Sequence, residues 1–243
     1  MKKNHLWIGL LLVFVIWYIM HFFIDDRLVP DPVDTILKMV QLIVGGELLT
    51  HILFSLLRLL VAVSAALLFG TMTGVLMGLN KSIEKIMAPF MYVMFPVPKA
   101  ALLPILFILF GLGDLSKIIL IWLILFFQIG LAVYDAVKSI GDDIFLSAKT
   151  LKLNTSQLFR HVVLPAIMPS LLSSLKTSVG IGIAVLFFAE TYATDKGLGY
   201  FIMNHWSLLN YEEMYSGILL LGAIGYFIFR CIDYMRFRLV KWT

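Results

Sequence analysis

Six apolar runs, each of a length suited to crossing a bilayer, dominate the chain. They occupy residues 6–24, 52–79, 87–109, 118–134, 166–189 and 214–232. At about 1.5 Å per residue, a helix of roughly 20 residues spans a hydrocarbon core of ~30 Å. Of the 243 residues 61% are hydrophobic and 14% charged, against about 45–50% and about 25% in soluble domains. The pattern predicts an all-α integral membrane protein with six transmembrane helices in a single domain, residues 1–243.

The first apolar run follows a positively charged start at residues 1–3, which is one feature of a signal peptide. The run is long for the apolar part of such a peptide, and no small-residue cleavage site follows it. We therefore expect it to be the first transmembrane span. In the acidic segment after it, Asp31, Pro32 and Asp34 predict the start of a short helix that ends at residues 45–46.

The cations indicate topology. The formal net charge is +4, but the basic residues sit at the ends of apolar runs, so we expect no nucleic-acid partner. The N-terminus, residues 80–86, the 141–165 loop and the C-terminus are basic, whereas residues 25–50 and 190–213 are acidic. The positive-inside rule then places both termini and the 141–165 loop in the cytoplasm.

Small residues recur every fourth position along the second apolar run. They are Ala62, Ala66, Gly70, Gly74 and Gly78. In a membrane such a stripe allows another helix to approach closely. We therefore expect a helix to pack against this face.

Four prolines interrupt the third apolar run: Pro89, Pro96, Pro98 and Pro104. Each removes a backbone donor and clashes with the preceding turn. Irregular backbone at membrane depth must be covered by protein or line a cavity. A solute pathway beside residues 96–104 satisfies that requirement.

Four ionisable residues lie within or at the edges of the runs: Arg58, Lys99, Lys176 and Glu190. A charge at the bilayer centre costs at least ~2.5–3.5 kcal/mol, so such residues have partners or functions. Lys99 either lies on the solute path or has a structural role, by snorkelling or by pairing with Glu190. Arg58 and Lys176 lie nearer to span ends and are expected to be structural. The candidate path residues are Pro96, Pro98, Lys99, Pro104, Arg58 and Glu190, and an excess of cations suits an anionic solute.

Between the fourth and fifth runs lies the one long polar interval, residues 141–169. Apolar residues at helical spacing (Ile144, Phe145, Ala148 and Leu151, then Leu158, Phe159 and Val162) predict two short amphipathic helices. The break falls near residues 154–155, and either Asn154 or Thr155 can cap the second helix. The interval is either a docking surface for a soluble partner or an ordinary solvated loop.

Its sequence, L-S-A-K-T-L-K at 146–152 and F-R-H-V-V-L-P at 159–165, resembles the coupling-loop motif of ABC importer permeases, the binding-protein-dependent inner-membrane components. That motif reads E-A-A, three residues, Gly, then a hydrophobic residue and Leu-Pro. Leu146 stands where the motif has Glu, and Lys152 where it has Gly. Further stretches are similar to the nitrate/sulfonate/taurine type: S-L-L-R at 55–58, P-V-P-K-A-A-L-L-P at 96–104, F-G-L-G-D at 110–114, F-F-A-E at 187–190 and K-G-L-G-Y at 196–200. The resemblance covers residues 30–235.

This resemblance implies a type I ABC importer permease fold with a cytoplasmic coupling loop at 141–165. The implied ATPase-coupling residues are Phe145, Leu146, Ser147, Ala148, Lys149, Leu151, Lys152, Phe159, Leu164 and Pro165, and we expect Phe145, Leu151 and Phe159 to be the apolar anchors. The implied partners are a second permease copy (a homodimer), two cytoplasmic ATPase subunits carrying ATP and Mg, and a periplasmic or lipid-anchored solute-binding protein. The implied location is the bacterial inner membrane.

Catalytic and metal-binding patterns are missing from the sequence. The histidines are scattered, no phosphate-binding G-x-x-x-x-G-K-[ST] is present, and the single Cys231 allows neither an intrachain disulfide nor a metal cluster. We expect no cofactor in this chain and no enzyme activity.

Three transport functions remain open at this point. The first is ATP-driven import of a small anion such as nitrate, a sulfonate, taurine or bicarbonate. The second is import of a neutral vitamin precursor or heterocycle by the same machinery. The third is a secondary transporter driven by an ion gradient, which is expected to show paired repeats of broken helices, and only one proline-broken run is present.

Overall fold

The computed structural model describes residues 3–25 and 27–241, and within these ranges the regular structure is helical, with no strand. The helices are α1 (Lys3–Phe23), α2 (Pro32–Val44), α3 (Glu47–Leu79), α4 (Lys81–Met94), α5 (Leu103–Phe110), α6 (Asp114–Lys138), α7 (Asp142–Thr150), α8 (Thr155–Leu158), α9 (Leu164–Glu190), α10 (Leu198–Ser207) and α11 (Tyr211–Leu239). A 3-10 turn at Lys99–Leu102 precedes α5, and a π-helical turn at Phe159–Val163 joins α8 to α9. The all-α prediction is confirmed.

In the described part of the chain, 4 helices are long and apolar enough to cross a membrane: α3, α6, the run Thr155–Glu190 and α11. Counting α4 and α5 as one bent span gives 5. The apolar part of α1, Trp7–Phe23, is shorter than these. The count of six spans therefore stays a prediction.

The chain forms two compact units. Unit 1 comprises Met1–Ser55 with Glu190–Ile224, and unit 2 comprises Leu56–Ala189 with Gly225–Thr243. The prediction of a single domain stays a prediction.

In unit 1, α2 is the short helix that the sequence predicts. Asp31 caps it by accepting from the backbone N–H of Val33 at 2.7 Å, Pro32 is the first helical residue, and Gly45 follows its last turn. Lys38 of α2 forms an ion pair with Glu213 of α11 at 3.0 Å. The hydrogen bond from its ammonium to this carboxylate is the main cause of a raised pKa at Lys38. Capping and this ion pair therefore fix α2 within the unit.

In unit 2, the stripe of small residues on α3 lies against α6, as expected. Ala62 and Ala66 are fully buried. A Cβ atom at Gly74 would lie 2.5 Å from the Gly130 carbonyl oxygen, and one at Gly78 would lie 2.5 Å from Val137 Cβ. Side chains at these positions would push the helices apart, so the small residues set the distance between α3 and α6.

The third apolar run is broken, as predicted, and its two parts meet at 86°. The helix α4 ends at Met94, just before Pro96 and Pro98. Two prolines in three residues withhold two backbone donors where the helix would continue. Pro104 differs from the prediction: it occupies the first turn of α5, where its missing N–H has no helical partner to lose, so it starts a helix and does not break one.

At 141–165 the structure has the predicted break near residues 154–155 and a second helix capped by Asn154, but this second helix is not short. The helix α7 ends at Thr150, and Asn154 caps α8 through reciprocal bonds with Gln157 of 2.9 Å each. The helix then continues through the π-helical turn into α9, so that Thr155–Glu190 is one helical run. Pro165 cannot donate to the preceding turn, and the wider π-helical turn directly before it accommodates the missing bond.

Candidate functional site

Lys99 lies at the break of the third apolar run, where its ammonium group caps the end of α4. Its side chain is 5% exposed. Nζ donates to the backbone oxygens of Met94 at 2.6 Å and Phe95 at 3.0 Å, and it lies 4.6 Å from the ring centre of Phe127. The last carbonyls of a helix lack intrahelical partners and carry a partial negative charge, which a cation stabilises. Within unit 2 these backbone oxygens are the acceptors that Lys99 binds, and its pairing with Glu190 of unit 1 stays a prediction.

A cavity of about 330 Å³ lies beside this break. Its lining consists of Phe95, Val97, Pro98, Lys99, Ala100, Ile124, Gln128 and Ile181. A pocket of this size lies at the lower end of the range for small-molecule sites, about 300–1,000 Å³. The structure thus combines irregular backbone with a cavity, as the sequence predicts, although a passage of solute through it stays a prediction.

Two of the other predicted cations have carboxylate partners in unit 2. Arg58 is 2% exposed, and its Nε donates to Asp114 at 2.8 Å, where Asp114 starts α6. Lys176 of α9 donates to Asp233 of α11 at 2.8 Å. The expected structural roles are therefore supported by geometry. Two of the three cations, Arg58 and Lys176, are thus neutralised locally. Their charge therefore gives less support to an anionic solute than the sequence suggested.

Glu190, the last residue of α9, is fully buried in unit 1. Its carboxylate accepts hydrogen bonds from Ser55 Oγ at 2.8 Å and from the backbone N–H of Gly199 at 2.9 Å. Gly197 has φ +121, and a Cβ atom there would collide with the Glu190 carboxyl group. The K-G-L-G turn therefore wraps a carboxylate of its own chain, which gives Glu190 a structural environment.

Sequence reasoning missed Lys117, which directly precedes the fourth apolar run. Lys117 is fully buried on α6, and its Nζ donates to the backbone oxygens of Leu112 at 2.9 Å and Gly113 at 3.3 Å. Ser116 Oγ donates to the Gly111 oxygen at 2.8 Å. A lysine four residues after the end of a glycine-rich turn gives little signal in the sequence that it folds back on that turn.

The predicted ATPase-coupling residues differ in their burial, both on α7 and in the segment that follows it. Ala148 is buried, and Phe145 is partly buried against the main apolar core of unit 2. Leu146 and Leu151 are 67% and 72% exposed. Of the remaining predicted residues, Ser147, Lys149, Lys152 and Phe159 are exposed and Leu164 and Pro165 are half-buried. Among these residues the exposed large apolar side chains are Leu146, Leu151 and Phe159. The role of Phe145, Leu151 and Phe159 as anchors stays a prediction.

Lys152 has φ 53, the left-handed backbone region. It follows the end of α7, and its N–H donates to the Lys149 oxygen at 3.0 Å. A glycine is favoured in this conformation after a helix because it has no Cβ. The geometry explains why a motif would carry Gly at this position, and it makes Lys152 a strained substitute.

The described residues contain no group of three or more His, Cys, Asp or Glu side chains that could hold a metal ion. The chemistry that the arrangement offers is hydrogen bonding and charge inside a helical membrane scaffold. The arrangement of side chains around the break at Lys99 is therefore suited to binding or conducting a solute.

Comparisons with known proteins agree with this description. The family model "Binding-protein-dependent transport system inner membrane component" matches residues 66–242. The chain is 30% identical to the taurine transport system permease protein TauC of Escherichia coli (strain K12), over 90% of this chain and 82% of that protein. It is 28% identical to the putative aliphatic sulfonates transport permease protein SsuC of Bacillus subtilis (strain 168), over 99% and 90%. It is 25% identical to the formylaminopyrimidine transport permease protein ThiX of Halalkalibacterium halodurans, over 96% and 93%.

Among solved structures, the chain is similar to an inward-facing form of the MetNI methionine ABC transporter. The TM-score is 0.69 at 17% identity, covering 79% of this chain and 95% of that one. At this identity the likeness concerns the fold alone.

Proposed function

Since the chain belongs to the family of binding-protein-dependent transport system inner membrane components, we propose that it moves a small sulfonate such as taurine through the membrane in an ATP-driven importer. Members of this family are permease subunits, and the chain is therefore a multi-pass membrane permease and not an enzyme. Its fold is that of a type I ABC importer permease.

The observation that carries the choice of solute is the likeness to TauC along nine-tenths of the chain, with SsuC as a second sulfonate relative. The cavity beside Lys99 supports it. That cavity is small, and its lining within residues 3–25 and 27–241 includes one cation and one amide but no carboxylate. Nitrate and bicarbonate are the alternative small anions.

The partners follow from the proposed machinery. Two copies of the chain form the pathway, and a periplasmic or lipid-anchored binding protein delivers the solute. Two cytoplasmic ATPase subunits bind ATP and Mg and contact α7, where Leu146 and Leu151 present exposed apolar side chains. Both termini lie on the cytoplasmic side, with the basic segments.

Uptake of radiolabelled taurine tests the solute. The full chain is expressed with its ATPase and binding protein in cells that lack other sulfonate importers. We expect ATP-dependent uptake that excess ethanesulfonate inhibits and excess nitrate does not. Uptake that only nitrate or bicarbonate inhibits would contradict the choice of a sulfonate.

A neutral heterocyclic solute is the second candidate, and the similarity to ThiX favours it. The ion pairs of Arg58 and Lys176 are compatible with it, because they leave fewer uncompensated cations. ATP-dependent uptake of labelled formylaminopyrimidine that excess ethanesulfonate does not inhibit, with no uptake of labelled taurine, would establish this alternative.

Coupling to the ATPase is tested by the substitution Leu151→Asp. Leu151 is 72% exposed, so the fold of this chain does not depend on it. An apolar groove on the ATPase that receives this leucine would not accept a carboxylate, because burying the charge is costly. We expect the ATPase to be lost on purification and uptake to cease. Leu208→Asp, at a leucine that is 59% exposed in the turn after α10, is the matched control and should retain both. ATP-driven uptake by the Leu151 variant would exclude this contact as the coupling element.

A further inference from the structure

Two cavities of unit 2 share a single residue, Gln128 of α6. One is the cavity of about 330 Å³ beside the break at Lys99. The other has a volume of about 550 Å³ and is lined by Gln128, Ala132, Pro169, Ser170, Ser173, Ser174, Thr177 and Arg236. Gln128 thus stands between the two spaces and contributes to the wall of both.

The hydroxyl groups of the larger cavity lie along one face of α9. Ser170, Ser173, Ser174 and Thr177 are spaced by three and four residues, which places them in one row over about 10 Å of helix. This face belongs to a helical run that is apolar enough to cross the membrane. On such a helix, a row of polar side chains is expected to face other parts of the protein or a water-filled path, and not lipid.

Several of these groups have donors to spare. Ser174 and Thr177 donate to the backbone oxygens of Leu171 and Ser173, at 2.9 and 3.2 Å. The side chains of Gln128, Ser170, Ser173 and Arg236 form no hydrogen bond or ion pair with any other residue that the structure describes. An amide, two hydroxyls and a guanidinium group are therefore available to a ligand.

The charge of the lining selects the ligand class. Among the residues that the structure describes, no Asp or Glu lines either cavity, whereas Lys99 lines one and Arg236 the other. The ammonium of Lys99 is occupied by backbone oxygens, so it contributes positive potential more than a free donor. Donors with positive potential and no carboxylate fit anionic oxygens. The apolar side chains of Ile124 and Ile181 are suited to a short aliphatic body.

We propose that Gln128 is the specificity-determining contact of this permease, and that it binds the anionic oxygens of a small sulfonate or carboxylate together with Ser170 and Ser173. The solute moves between the two cavities past the Gln128 amide. The inference rests on the proposed function, and it shifts the decisive contact from Lys99 to α6 and α9.

The first test measures taurine uptake by the Gln128→Leu variant. This substitution keeps the approximate size of the side chain and removes its amide. We expect taurine uptake to fall about tenfold or more, through a higher KM, with unchanged protein level and ATPase association. Thr177→Val should have a smaller effect, and Thr71→Val, in the apolar cavity on α3, is its matched control and should have none. Uptake within twofold of the wild type in the Gln128 variant would overturn the inference while leaving the proposed function intact. A wild-type protein that takes up no sulfonate or carboxylate contradicts the proposed function, and the inference falls with it.

Thiol labelling of the full-length protein provides a test that does not require an uptake measurement. Cys231 is the single cysteine, so Cys231→Ser gives a cysteine-free background. We expect Ser173→Cys to react with an impermeant anionic methanethiosulfonate severalfold faster than with a cationic one of similar size, and taurine to slow the reaction. Ile108→Cys, at an isoleucine that is 84% exposed on the apolar α5, should stay unmodified. No reaction at Ser173→Cys, or faster reaction with the cationic reagent, would overturn the anionic path.

Discussion

The cap formed by Lys99 can be tested by its removal. Lys99→Met retains the length of the side chain and deletes the ammonium group that binds Met94 and Phe95. The carbonyl groups at the end of α4 then lack their charged partner. We expect this variant to be less stable than the wild type, before any question of solute contact arises.

The magnitude follows from the bonds that are lost. Two of them are 3.0 Å or shorter, and a hydrogen bond to a charged group contributes about 1.5–3 kcal/mol. The methionine side chain of the variant is uncharged, so its burial avoids the cost of desolvating an ammonium group, which offsets part of the lost hydrogen-bond energy. We therefore expect a net decrease of about 2–4 kcal/mol in the free energy of unfolding. For a chain of this length the corresponding decrease in Tm is about 4–16 °C.

The assay is thermal unfolding of the purified chain in detergent, followed by size-exclusion chromatography with fluorescence detection. Lys85→Met is the matched control, because Lys85 is an exposed lysine on α4, the helix whose end Lys99 caps. It should change the stability by less than about 0.5 kcal/mol. If Lys99→Met unfolds at the wild-type temperature and yet loses uptake, the capping argument is wrong and Lys99 is a solute contact.

Three further predictions concern local geometry and topology. Lys152→Gly should stabilise the chain by about 0.5–1 kcal/mol, since φ 53 is strained for lysine; an unchanged or lower Tm would contradict this. Gly74→Ala should destabilise it by about 1–3 kcal/mol through contact with α6, whereas Gly222→Ala, which meets no atom within 4 Å, should not; equal Tm values for the two variants would refute the close approach. In the cysteine-free background, Asn154→Cys and Asp195→Cys should be labelled from opposite membrane sides, and labelling from one side would exclude the topology.

The fold was predictable where a residue type has one strong physical consequence. Prolines 96 and 98 predict the break because they withhold donors, and Asp31 with Pro32 predicts the start of α2. The small residues of α3 predict a close neighbour, and the structure identifies it as α6. Each of these features acts within a few residues or on one helix face.

The site was less predictable because its contacts join distant parts of the chain. Lys99 and Glu190 are equally unusual in the sequence, and nothing there shows that one binds backbone oxygens and the other Ser55. Similarly, helical spacing placed Phe145 and Leu151 on one apolar face, but α7 ends at Thr150 and the turn after it directs Leu151 outward. Periodicity holds only while the helix continues.

Lys99 and Lys117, which lie on either side of the short helix α5, bind backbone oxygens in the same way. Each lysine folds back on the carbonyl groups four and five residues before it: Met94 and Phe95 in one case, Leu112 and Gly113 in the other. Both sets of carbonyls lie where a helix or turn leaves backbone acceptors without donors, and in lipid each unsatisfied acceptor costs several kcal/mol. An ammonium group serves two or three acceptors at once and places its charge among their partial negative charges. The two buried lysines therefore stabilise both ends of a helix of only eight residues that follows a sharp bend, and the cavity lined by Gln128 lies beside this bend.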